Sequence, residues 1–314
     1  MSFANPLTCV AFSPDSEKVA CGTAHSGVTI THVDSKSKPV ETFAIADTSI
    51  TVISWSPDAE KIMVASSDNK LRCWNTVSSH AIGLPFQGHQ ETIIAASFLD
   101  TFRAISLSRD GEVFVWDIRS GKIIRRGMVS ERGQTIFVAA LSVDDTLLVT
   151  SDGKEGIAWE IPACVQIADI PLPNVPLLQA AIIPNRLRQV VLVFGDMSFR
   201  IWDTKTGTLN HARFEGFRRR DAIPLAMTVS PDGKLLALEI DGMRDDRPIH
   251  FYNRTGKELA RPNIKCIHPF AFSPDGKNFA ASRVSSGPKD DTHKLVISSV
   301  KEARTSCCTF DPDF

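Results

Sequence analysis

A chain of 314 residues with 43% hydrophobic and 23% charged residues has the composition of a soluble globular protein with a sizeable core. Its formal net charge of −1 excludes a global field that would recruit nucleic acid or an anionic membrane, so such binding would need a local patch. No run approaches the roughly 18 apolar residues of a membrane helix, and Met1-Ser-Phe-Ala-Asn-Pro6 has neither the basic start nor the apolar core of a secretory signal.

In chain order, one apolar landmark recurs: Phe12, Trp55, Phe98, Leu141, Ile182, Val229 and Phe272, in steps of 43, 43, 43, 41, 47 and 43. Trp74, Trp116, Trp159 and Trp202 follow at one phase of it, 42, 43 and 43 apart. Such a period overrides the two-domain prior of the length and signals a blade array. The clearest copy reads as four strands: Thr92 to Thr101, Arg103 to Ser108, Glu112 to Ile118 and Lys122 to Arg126. The first turn recurs as Ser13-Pro14-Asp15, Ser56-Pro57-Asp58, Ser230-Pro231-Asp232 and Ser273-Pro274-Asp275, where proline pre-sets one dihedral and Asp tolerates the next. No amphipathic helix of useful length interrupts the pattern. Because one such sheet cannot bury both faces alone, radial packing follows. The expected fold is all-β, a single seven-bladed β-propeller of four-stranded antiparallel blades at about 7–43, 50–86, 92–126, 136–170, 177–214, 224–260 and 267–310.

Gly88-His89 opens a repeat that closes on Trp116-Asp117, and Trp202-Asp203 closes another. In these residues and in its spacing the whole chain resembles the WD40-repeat family. The resemblance implies that each Trp lies on a third strand, with Tyr252 replacing it in repeat 6 and Thr31 and Ser298 at that phase in repeats 1 and 7. It also implies a buried hydrogen-bonded tetrad in repeat 3: His89, Ser106 (or Ser108), Asp110 and Trp116. Only six residues precede Leu7, so the last strand of blade 7 is expected from Cys307 to Phe310, not from the N-terminal strand swap common in the family.

Three extensions break the period: 214–221 between repeats 5 and 6, 241–248 in repeat 6 and 285–293 in repeat 7. Junctions and second turns share one rim of a propeller, so a binding face near blades 5–7 is expected. Its candidate contacts are Phe217, Arg218, Arg219, Arg220, Met243, Arg244 and Arg247, suited to an acidic or phosphorylated protein segment. Phe217-Arg218-Arg219-Arg220 also resembles the Phe-Arg-Arg-Gly motif of phosphoinositide-binding propellers, which makes the Arg218–Arg219 pair an alternative lipid site. Arg220 stands where that family has glycine, and the long apolar loop of its sixth blade is absent. A solvated basic loop is the plainer reading.

Bond-making chemistry finds little support. His89, Ser106 and Asp110 lack a nucleophile elbow and an oxyanion hole. Asp290, Asp291 and His293, or Asp245 and Asp246, match no metal-site spacing. Gln179, Thr51 and Thr228 are weak candidates for a central-channel enzyme site and read equally as channel lining. No cofactor is expected, and Arg125-Arg126 lacks the interleaved aromatics of a single-strand nucleic-acid site. Seven cysteines, at 9, 21, 73, 164, 266, 307 and 308, form no metal spacing and suit a reducing compartment, cytoplasmic or nuclear. The expected role is a non-catalytic protein-interaction scaffold or complex subunit.

Overall fold

The structure, a computed structural model, describes residues 2–25, 27–34, 41–45, 48–130, 134–142, 144, 146–184, 188–214, 223–241, 249–260, 266–285 and 292–301. Consecutive strands pair antiparallel into seven sheets. In blade 3 they are Ile93–Phe98, Arg103–Ser108, Glu112–Asp117 and Ile123–Met128, ordered from the axis outward. Six sheets have four strands; blade 2 has three, its outer edge carried by the isolated bridges Leu71↔Phe86 and Trp74↔Ala81. Each first strand touches the first strand of the next blade, blade 7 returning to blade 1, so the sheets close a ring. This is a seven-bladed β-propeller.

Local chemistry explains the blade. First strands converge on the axis and carry small side chains where space is least: Ala11, Ala95-Ala96, Ala139-Ala140, Ala180-Ala181, Ala226 and Ala271. Second strands are covered on both faces and run nearly all apolar, as in Leu235–Asp241. In the first turn, Ser13 is fully buried, its hydroxyl donating to Asp15 Oδ1 at 2.5 Å and accepting the Lys18 amide at 2.9 Å. The same clasp joins Ser56 to Asp58 and Lys61, Ser230 to Asp232 and Leu235, and Ser273 to Asp275 and Asn278. It also forms at Ser142, Asp144 and Leu147, where proline is absent, so serine and aspartate define the turn. At Asp15, burial is the largest single influence and pushes the carboxyl up, but the Ser13 hydroxyl, the Glu17 amide and the Lys18 charge together outweigh it and hold the carboxyl below its ordinary range.

Among the described residues, seven apolar clusters each fill one seam between neighbouring blades. Register fixes the aromatic phase: Trp74↔Ile62, Trp116↔Ala104, Trp159↔Leu148, Trp202↔Val190 and Tyr252↔Leu236 are equivalent pairs. Thr31↔Val19 and Ser298↔Phe279 complete the set without an aromatic ring.

One expectation is corrected. Ser2–Phe3 pairs with Thr292–Ser299, as Ser2↔Lys294 and Phe3↔His293, and takes the outer edge of blade 7. The N-terminal strand therefore closes the ring. Cys307 to Phe310 lie outside the described residues. Two residues suffice because the register is set from the inside: Phe3 packs on the seam cluster of Leu7, Val19 and Leu295. The Phe3→Asp substitution is expected to cost about 1–3 kcal/mol in urea unfolding, while deletion of 307–310 leaves the midpoint in place. The reverse order of effects would restore the C-terminal closure.

Candidate functional site

The extensions share one rim at their anchor points. Ile223 pairs with Asp241, so the 215–222 junction and the 242–248 turn spring from the same end of blade 6. Ser285 pairs with Thr292 at the corresponding end of blade 7. Phe214 secures the first root: it is buried, 4.6 Å from both the Phe199 and Tyr252 ring centroids. Phe217, Arg218, Arg219, Arg220, Met243, Arg244 and Arg247 lie outside the described residues, as do Asp245, Asp246, Asp290 and Asp291.

Within blade 3, three of the four suggested tetrad residues join. His89 Nε2 lies 2.6 Å from the Ser106 hydroxyl, which also accepts the Trp116 indole N–H at 2.8 Å. The His89 ring stacks on Phe114 at 4.2 Å. Asp110 does not complete the chain: its Oδ1 accepts from the Ser108 hydroxyl at 2.6 Å, and His89 Nδ1 is buried with no partner among the described residues. Both serines of the strand are thus used, Ser106 by the rings and Ser108 by the turn carboxylate. Blade 4 repeats half of the device, its Trp159 indole donating to Thr150 at 2.8 Å. These groups are locked between sheets and fasten the blade. Burial lowers the His89 imidazole to about 4, against the opposing pull of Asp110.

Sequence reasoning missed a buried carboxyl group. Glu239 is fully buried on the blade 6 face that meets blade 7. Its Oε2 accepts the His268 backbone N–H at 2.7 Å and lies 2.8 Å from His268 Nδ1, across the seam. Oε1 has no hydrogen-bond partner among the described residues. At the same register position the other blades place Gly22, Ala65, Leu107, Ser151, Val193 and Ser282. Superposing the seven repeats on one another would have singled it out. Nearby on the third strand, the buried His250 lies 2.7 Å from Glu258.

The channel candidates separate. Gln179 donates to the Leu225 carbonyl at 2.8 Å and stitches blade 5 to blade 6, while Thr51 Oγ1 is buried without a partner among the described residues, and Thr228 is half-buried. Among the described residues no three His, Cys, Asp or Glu gather around a common point fit for an ion, and no helix is long and apolar enough to cross a membrane. Cys9, Cys21, Cys73 and Cys164 are free thiols; burial pushes Cys9 and Cys73 up to about 12.

Two outcomes follow from these buried groups. The unfolded chain binds a proton at His89 near the ordinary 6.5 and the fold only near 4. Stability from neutral His89 is therefore complete above pH 6.5 and drains away as pH falls toward 4. Wild type should lose up to about 3 kcal/mol more over that window than His89→Asn; parallel profiles would contradict the buried neutral imidazole. In the seam, Glu239→Leu should cost about 1–3 kcal/mol by leaving the His268 N–H without its acceptor, and Glu239→Gln less. Equal unfolding midpoints for all three proteins would remove the seam bond from the stability of blades 6 and 7.

Comparison with known proteins agrees with this architecture. The WD domain, G-beta repeat model matches residues 37–75, one repeat of the seven. Apoptotic protease-activating factor 1 of Homo sapiens is 26% identical over 286 residues, 87% of this chain and 22% of that protein. THO complex subunit 6 of Arabidopsis thaliana is 26% identical over 129 residues, 40% of this chain and 34% of that protein. Periodic tryptophan protein 2 of Arabidopsis thaliana is 26% identical over 192 residues, 60% of this chain and 20% of that protein. The chain thus spans only a fifth to a third of the length of these relatives. It contains one matched WD40 repeat, and its 43-residue phase and seven closed sheets resemble those of the WD40-repeat β-propellers.

Proposed function

We propose that this propeller is a non-catalytic platform for protein–protein interaction, a scaffold or complex subunit that binds through the rim of blades 5–7. The observation that carries the reading is the common root of the extensions: Ile223↔Asp241 and Ser285↔Thr292 anchor them at the same end of adjacent blades. A closed ring holds those anchors rigidly, so docking need not organise the scaffold, which limits the entropic cost of association. Phe217, Arg218, Arg219, Arg220, Met243, Arg244 and Arg247 supply the contacts. Their guanidinium groups suit carboxylate or phosphate on the partner. Nothing in this reading requires nucleic acid or a membrane lipid.

Relatives support the coarser statement. One of them is named as a subunit of the THO complex. The catalytic alternative draws no support from blade 3, where Ser106 is held by His89 and Trp116 inside the sheet packing. We place the chain in the cytoplasm or nucleus, in keeping with four free thiols among the described residues.

Changing Arg218, Arg219 and Arg220 together to Glu should abolish most partner recovery in affinity purification, with the unfolding midpoint unmoved. Recovery equal to wild type would take the arginines out of the interface.

A further inference from the structure

Blade 5 carries a recess of about 350 Å³, lined by Asp196, Ser198, Arg200, His211 and Arg213, that the contacts above do not include. Register explains how residues so far apart in sequence meet. Arg200 pairs with His211 and Ser198 with Arg213, so alternate positions of the two outer strands turn these side chains to one face. The Arg200 guanidinium lies 5.1 Å from the Phe194 ring centroid, and its Nη1 donates to the Pro171 carbonyl at 2.9 Å. Its Nε is buried with no partner among the described residues. Arg213 is 76% exposed and meets Asp196 Oδ2 at 3.3 Å through Nη2. Asp196 is its only acidic neighbour in the recess, and the other oxygen, Oδ1, is taken by the Ser198 amide and hydroxyl at 3.0 and 2.5 Å.

The recess thus holds two guanidinium groups and an imidazole against one carboxylate, with more N–H donors than acceptors. The Arg200 side chain and the Arg213 backbone are both held in place. The Phe194 ring and Pro171 carbonyl hold Arg200, and Gly256 of blade 6 (φ +84°) approaches Arg213 so closely that a Cβ would fall on its carbonyl. An anion with several acceptor oxygens satisfies such a donor set best, and a phosphate monoester carries three.

We propose that this recess binds a phosphorylated serine or threonine in an extended segment of a partner protein. The inference rests on the platform reading and names a chemistry for its partner. Two observations favour a peptide. Leu209–Arg213 is the outermost strand of its sheet, leaving a backbone edge that an extended segment can pair with. The lining offers no large exposed apolar side chain to enter a bilayer. The strand also runs into Phe214 and the 215–222 junction, so the recess adjoins the proposed contact rim.

The full chain is titrated with inorganic phosphate, a short phosphoserine peptide and its unphosphorylated twin, following the amide resonances of Ser198, Arg200, His211 and Arg213. Phosphate and the phosphopeptide should shift these resonances and the twin should not. Arg213→Gln should weaken phosphopeptide binding about tenfold or more without moving the thermal midpoint, and His211→Ala provides a second variant. Silence at these residues, or an equal response to the twin, overturns the proposal. So does binding confined to phosphatidylcholine vesicles containing phosphatidylinositol 3-phosphate. Partner recovery separates the two readings. Should Arg213→Gln recover the wild-type partners even from phosphatase-treated extract, the phosphate inference falls and the platform stands. Should wild type recover none while the phosphopeptide still shifts the recess, the platform falls and the recess stands.

Discussion

Every blade depends on burying both of its faces against its neighbours. A four-stranded sheet with two apolar faces and open edges is unstable alone, and here each face finds its complement in the next sheet. Seven units at this spacing let the packing run round without a break, because small first-strand residues such as Ala95 and Ala180 admit convergence at the axis. A ring has no end repeats, so it needs no polar cap of the kind open arrays use. It does need its two chain ends joined, and Ser2–Phe3 does this by pairing onto the outer edge of blade 7. The consequence for function is rigidity: loops rooted in such a ring keep their spacing when a partner arrives.

Polar groups inside the seams depart from that rule in informative ways. His89 and Trp116 share Ser106 as a fastening within blade 3, and Gln179 reaches the carbonyl of Leu225 between blades 5 and 6. Glu239 is different, because it brings a carboxylate into a seam whose counterparts are apolar or small. Its bonds to His268 tie blades 6 and 7 together beside the rim where two of the extensions begin. A buried carboxylate with one oxygen lacking a partner among the described residues is an unusual expense in such a place. The ring therefore carries a buried carboxyl group in the seam next to its proposed binding side.

What sequence revealed and what it hid follow from the range of each interaction. Strand count, blade count and the aromatic phase were legible because Trp74, Trp116, Trp159 and Trp202 repeat one local pattern, as does the Ser-Pro-Asp turn. Ring closure was misread because a two-residue strand at Ser2–Phe3 leaves no periodic signal and is specified only by a distant partner at His293 and Lys294. Asp110 was assigned to the His89 network by resemblance, whereas its carboxylate meets the nearer Ser108 hydroxyl. Glu239 leaves no periodic signal, standing inside the apolar strand Leu235–Asp241. Arg200, His211 and Arg213 could not be grouped without register, since they face one another across two strands.

The central claim is that face-to-face packing makes the seven blades one cooperative body. Leu295→Ala tests it most directly: it hollows the seam between blades 7 and 1, whose cluster contains no tryptophan. Unfolding is then followed by tryptophan fluorescence, which reports from blades 2 to 5, and by circular dichroism, which reports from every sheet. A cooperative ring predicts that both probes shift together, by about 2–5 kcal/mol. A tryptophan transition that stays at the wild-type midpoint while the dichroism falls in a separate earlier step would contradict it.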